Sequence, residues 1–129
     1  MYWNIYEVCY NYHRDVMRKV KIKIYSFLNN IEENNEFLAI KNENVIKYID
    51  FCNNRIKIDL KNNVIEKENI DYSFTLKFSD NIIVIFAKKL KKTFYKEIKT
   101  IVCEKSKSKF LVRYLLVDEN IINEYYVKF

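Results

Sequence analysis

Cys9 and His13 lie four residues apart, one helical turn, where a thiol could meet an imidazole. Such a pair does nucleophilic chemistry only when a third group orients the imidazole and a loop of donors meets the developing charge. The sequence offers neither partner. Glu32-Glu33 and Asp118-Glu119 are paired carboxylates, but both pairs fall in turn-like segments where neighbouring acids are solvated. Acid–base dyads need carboxylates that converge in space. One histidine and three dispersed cysteines (Cys9, Cys52 and Cys103) form no Cys-x-x-Cys pair and no ligand cluster for a metal. The sequence therefore predicts no catalytic residue, no metal site and no cofactor.

The 129 residues include no glycine and no proline. That absence excludes the phosphate loop of P-loop proteins, the Gly-x-Gly-x-x-Gly dinucleotide turn and the Gly-x-Ser-x-Gly nucleophile elbow. Each needs a residue without Cβ so that the backbone can take positive φ or approach a ligand closely. Asn, Lys, Ile, Tyr and Phe together fill 73 of the 129 positions, and only Ala39 and Ala87 are alanine. All five common types have A/T-rich codons, which points to an AT-rich genome, microbial, viral or parasitic. Lysine content is then weak testimony to function. The distribution of the lysines says more.

Residues 88–109 hold nine lysines against Glu97 and Glu104, a local charge of +7 beside +6 for the whole chain. A second basic stretch, 14–23, carries Arg14, Arg18, Lys19, Lys21 and Lys23 against Asp15. Read as a helix, 88–101 puts Leu90, Phe94, Ile98 and Ile101 on one face and Lys88, Lys89, Lys92, Lys96 and Lys99 on the other. Read as a strand, 93–104 puts Lys96 on the face of Phe94 and Ile98. In both cases SKSK at 106–109, with Lys107 and Lys109, reads as a basic loop. The bland interpretation is a solvated face, and the sharper one is a docking surface for phosphates or an acidic protein. Lysine carries a point charge without a bidentate fork, so such a surface would attract anions without reading sequence.

The elements that would position these residues divide the chain in two. Ile5, Val8, Cys9, Tyr12, Val16, Val20, Phe27 and Ile31 recur at helical spacing, which predicts helix to about residue 28, although VKIKI at 20–24 alternates as a strand does. Tyr2, Tyr6, Tyr10 and His13 follow the same spacing and would make an aromatic stripe, wedged in the core or walling a pocket. Residues 44–52 predict a short helix with Asn44 as N-cap. From residue 55 the period becomes two. RIKIDL, VIEK, IDYSFTLKF, IIVIFAK, FLVRYLLV and IINEYYVKF read as strands, with Asn62-Asn63, Ser79-Asp80-Asn81 and Asp118-Glu119-Asn120 as turns. Asparagine tolerates the left-handed region and so replaces glycine in them. The expectation is one α+β domain over 1–129, with N-terminal helices packed on a mainly antiparallel, meander-like sheet.

KIYSFLNNIEENNEFLAI at 23–40 resembles the helix-then-acidic-turn opening of the nuclear-transport-factor-like superfamily, and RYLLVDENIINEYYVKF at 113–129 is similar to its closing hairpin. The resemblance implies a curved antiparallel sheet wrapped by helices, often around a pocket, and carries over no active site.

The start lacks a signal peptide pattern and the longest aliphatic run, IIVIFA at 82–87, is too short to span a bilayer. A reducing, cytoplasmic setting and no membrane partner are expected. The first functional expectation is a non-enzymatic inhibitor or adaptor. It would dock on an acidic protein surface or nucleoprotein complex through Lys88, Lys89, Lys92, Lys96, Lys99, Lys107 and Lys109, with Arg14 and Arg18. Two others stand beside it. One is a direct binder of RNA, DNA or nucleotide, with steep salt dependence. The other is a ligand carrier or enzyme with a pocket, which requires a cavity holding at least two polar groups of perturbed pKa.

Overall fold

The computed structural model describes residues 17–129. Ten strands follow one another: β1 (Met17–Leu28), β2 (Ile31–Asn42), β3 (Val45–Ile49), β4 (Arg55–Asp59), β5 (Val64–Glu68), β6 (Tyr72–Lys77), β7 (Ile82–Ala87), β8 (Lys92–Lys105), β9 (Lys109–Leu116) and β10 (Ile121–Lys128). Each pairs antiparallel with the next, and β1 closes the ring against β10 from Lys23↔Lys128 to Phe27↔Glu124. The product is a closed up-and-down barrel.

The α+β expectation is corrected: no helix occurs among the described residues, and the fold is all-β. Residues 17–28 are a strand rather than the end of a helix. Residues 44–52 supply β3 rather than a helix capped by Asn44. The 23–40 segment, whose resemblance implied a helix and a turn, lies within the β1–β2 hairpin. Non-local pairing overrides the helical spacing, because VKIKI sends Val20, Ile22 and Ile24 inward and Lys21 and Lys23 to solvent. Residues 88–101 are likewise a turn and a strand. Tyr2, Tyr6, Cys9, Tyr10, His13 and Arg14 lie outside the described residues.

The six segments read as strands from residue 55 onward all form strands, joined by the expected asparagine turns. Among the described residues eight non-glycine residues take positive φ, and six of them are Asn29, Asn30, Asn53, Asn63, Asn81 and Asn120. Asn29 and Asn30, at 52° and 67°, together make the two-residue hairpin turn between Leu28 and Ile31. The other two, Glu43 and Lys91, lack the short amide that eases this conformation. Glu43→Gly is expected to stabilise the barrel by about 0.5–1 kcal/mol, relief of left-handed strain outweighing the extra freedom of the unfolded chain. Urea unfolding of the two proteins measures it.

Register is reinforced on the outer wall. Lys23–Glu36, Arg55–Glu68, Lys57–Glu66 and Arg113–Glu124 are ion pairs between directly opposed residues of neighbouring strands. Exposed pairs contribute little each, but a one-residue slip would break all four and invert every face.

Alternation fills one end of the barrel and leaves the other open. The turns at 29–30, 50–54, 69–71, 88–91 and 117–120 lie at the open end, here the mouth; those at 43–44, 60–63, 78–81 and 106–108 lie at the base. Ile46, Ile58, Phe78, Phe110, Val112 and Val127 are buried together and plug the base. Lys105 caps that plug, its Nζ donating to the Leu60 carbonyl at 2.6 Å and to Asn63 Oδ1 at 3.1 Å. A bulge between Thr100 and Val102 lets β8 serve β7 with its first half and β9 with its second.

Candidate functional site

Above the plug, the interior opens into a cavity of about 490 Å³ that reaches the mouth. Its lower lining is apolar: Ile24, Ile56, Ile65, Leu76 and Phe78. Phe37 and Tyr48 continue this wall with ring centroids 5.0 Å apart, and Phe51 extends it to the lip, 4.8 Å from Phe37.

Two phenols meet across this apolar space. Tyr48 on β3 and Tyr125 on β10, from opposite flanks of the β1–β2 hairpin, share a hydroxyl–hydroxyl hydrogen bond. Burial pushes both phenols well above their ordinary pKa, and the Asp50 carboxylate adds to the effect. Both therefore stay neutral at physiological pH. One hydroxyl donates to the other, so the pair keeps one O–H free to donate and lone pairs free to accept. Tyr114, also in the lining, is raised by burial and partly eased by Asn123.

The rim is built by side-chain hydrogen bonds. The Asp50 carboxylate accepts the amides of Cys52 and Asn54, each at 2.9 Å, and the Asn54 side chain, folding the 50–54 loop about itself. Asn69 Nδ2 donates to Asn54 Oδ1 at 3.1 Å, and Lys88 Nζ donates to the Asn69 carbonyl at 2.7 Å. Three successive mouth turns are thus tied together, which preforms the opening. Lys67 projects inward from β5, opposite Ile56 and Phe74, and is the cation of the lining. Among the described residues it has no ion pair. Glu33 and Asp50 are the lining's carboxylates.

The lysines singled out in the sequence are distributed over three places. Lys88 is tied into the mouth, 3.1 Å from Glu68, with Lys89 and Lys92 exposed beside it. Lys96 shares the β8 face of Phe94 and Ile98, as the strand reading has it, and pairs with Glu119. Lys99 stands on the outer wall, while Lys107 and Lys109 are at the base with Arg18 exposed on β1. The tips of β8 are separated by roughly 40 Å at ordinary strand rise. The structure brings Lys88, Lys89 and Lys92 together at the mouth and places Lys107 and Lys109 at the base, apart from them and from Lys96 and Lys99.

Tyr48, Tyr125, Asp50 and Lys67 went unnoticed in the sequence. Their signal is parity: once β5 and β10 are placed in register, Lys67, Asn123 and Tyr125 are polar residues at inward positions. A polar group on the face that should be apolar marks a lumen.

Comparison with protein families, with curated proteins and with solved structures finds no match to this chain. Its site is read from its own geometry.

Proposed function

We propose that this barrel binds a small, largely apolar molecule in its mouth-side cavity, without chemical turnover. The observation that carries this reading is the neutral Tyr48–Tyr125 hydroxyl pair, set in apolar walls above a packed base. A volume near 490 Å³ falls within the range of small-molecule sites. Barrels of about eight strands can hold one such ligand and those of 16–18 leave an aqueous channel; ten strands stand nearer the first. The ligand has an apolar body and a polar group able to exchange hydrogen bonds with neutral phenols.

The distribution of side chains supports a barrel with water outside it. Charged pairs stand on the outer wall between β1 and β2, β4 and β5, and β9 and β10, and the interior is apolar, whereas a barrel that spans lipid has an apolar outer band and a polar interior. Strands β3, β4 and β5 have five residues each, about half of what a bilayer crossing needs. Docking through one lysine surface, and nucleic-acid binding by the same route, have less support because the cations are divided between the ends and the wall.

The test uses N-phenyl-1-naphthylamine, a neutral probe that surface lysines do not attract and that fluoresces in apolar surroundings. Saturable binding at one site per chain is expected. Ser26 is buried and faces the cavity, so Ser26→Trp should fill the space and weaken binding by about a hundredfold, while Ser26→Ala retains it. Absence of saturable binding, or undiminished binding by a folded Ser26→Trp protein, would remove the proposal.

A further inference from the structure

Outside the strands, the exposed large apolar side chains all stand at the mouth; others, Leu38, Tyr95 and Ile101 among them, lie along the strands. Four of the five mouth turns carry one: Phe51 (75% exposed) between β3 and β4, Ile70 (85%) between β5 and β6, Leu90 (65%) between β7 and β8, and Val117 between β9 and β10; Ile31, the first residue of β2, follows the fifth. The base turns hold Glu43, Asn44, Lys61, Ser79, Asp80, Lys107 and similar polar residues, and their two large apolar members, Leu60 and Phe78, are buried. Turn geometry does not demand this asymmetry, since the left-handed positions of the mouth turns are taken by asparagines and Lys91.

Ile70 and Leu90, the most and third most exposed of the five, stand on adjacent turns that are locked together. The Lys88 amide donates to the Asp71 carbonyl at 2.9 Å, and Lys88 Nζ donates to the Asn69 carbonyl. Lys89, Lys91 and Lys92 surround Leu90, all exposed and, among the described residues, without ion pairs; Asp71 is the acid beside Ile70. Of the other acids in the mouth turns and strand ends, Glu32 and Glu33 belong to the β1–β2 hairpin on the opposite side of the ring, and Asp118 and Glu119 to the 117–120 turn, where Glu119 is paired with Lys96.

We propose that the Ile70–Leu90 edge of the mouth docks on the surface of an anionic lipid bilayer, holding the cavity's opening against the headgroups. The apolar tips are single residues on separate hairpins, divided by charged neighbours. A protein interface needs a continuous packed patch of about 800 Å² per partner. A bilayer surface accepts isolated apolar side chains between lysines, because each enters the headgroup–acyl boundary on its own while the ammonium groups meet lipid phosphates. No spanning segment is required, so the expectation of no membrane partner, which rested on the want of one, does not bear on docking. This inference goes beyond cavity binding and does not depend on it.

The experiment is co-sedimentation of the full chain with vesicles of phosphatidylcholine and phosphatidylserine, and with phosphatidylcholine alone, with no cavity ligand present. Pelleting with the mixed vesicles, weakened by added salt, is expected. Lys89→Ser/Lys91→Ser/Lys92→Ser should weaken it by about a hundredfold, and Ile70→Ser/Leu90→Ser by about tenfold or more. Lys107→Ser/Lys109→Ser at the base should leave it unchanged. Each variant should keep the wild-type urea midpoint and affinity for N-phenyl-1-naphthylamine, so failure of docking and failure of cavity binding are read separately. Lack of pelleting, pelleting indifferent to Ile70→Ser/Leu90→Ser, or equal loss in the base variant would overturn the proposal and leave these tips to a protein partner.

Discussion

Phe110→Ala is expected to cost about 3–5 kcal/mol, enough to leave the barrel marginal. Phe110 is fully buried in the plug, opposite Lys105 on β8 and Val127 on β10. The loss combines the transfer of a benzyl group with the void left in a ring whose backbone cannot collapse, since each strand is held by two neighbours. The contrast is Phe51, the same residue type on the lip, where truncation should change stability by no more than about 0.5 kcal/mol. Urea unfolding of both variants provides the measurement. Similar losses at the two positions would mean that the base is not the packed end.

The second large effect is alkaline. In the folded barrel Tyr48 and Tyr125 hold their protons well above the pH, about 10, at which an unfolded tyrosine releases them. Above that pH the unfolded chain binds fewer protons than the folded one, so stability falls as pH rises; below about pH 9 their contribution is constant. Each retained proton gives a slope of about 1.4 kcal/mol per pH unit, so the pair should remove about 3 kcal/mol for each unit above pH 10. Urea unfolding between pH 9 and pH 11.5 should show this decline, and Tyr48→Phe/Tyr125→Phe should flatten it. Tyrosinate absorbance offers a second readout, with the pair ionising only as the barrel opens. A native protein whose tyrosines all ionise together near pH 10 would contradict the buried pair.

The β-half of the chain was legible because its residues satisfy a local rule. RIKIDL alternates, and the Asn-rich breaks supply left-handed residues where glycine is absent, so strands and turns from residue 55 onward could be read directly. The first strands could not. Ile31–Asn42 reads IEENNEFLAIKN, whose first half is exposed and without alternation; it is a strand because all twelve residues pair with β1. Val45, Ile46, Tyr48 and Ile49 sit at spacings that suit a helix as well as the two faces of β3. Phe94 and Ile98, four apart, satisfy both periods, since four is close to one helical turn and is two strand repeats.

The site was hidden for a related reason. No motif unites Tyr48, Asp50, Lys67 and Tyr125, which come from β3, β5, β10 and a loop and meet only when β1 closes on β10.

By itself, then, the amino-acid sequence determined the alternating strands, the asparagine turns and the exclusion of every device that needs glycine, because those depend on a few adjacent residues and their φ, ψ and hydropathy. Tertiary structure alone decided that the sheet closes, which end is plugged, which phenols share a hydrogen bond and where the lysines stand. Those outcomes follow from pairings between residues up to about a hundred positions apart, and local periodicity carries no information about a partner that distant.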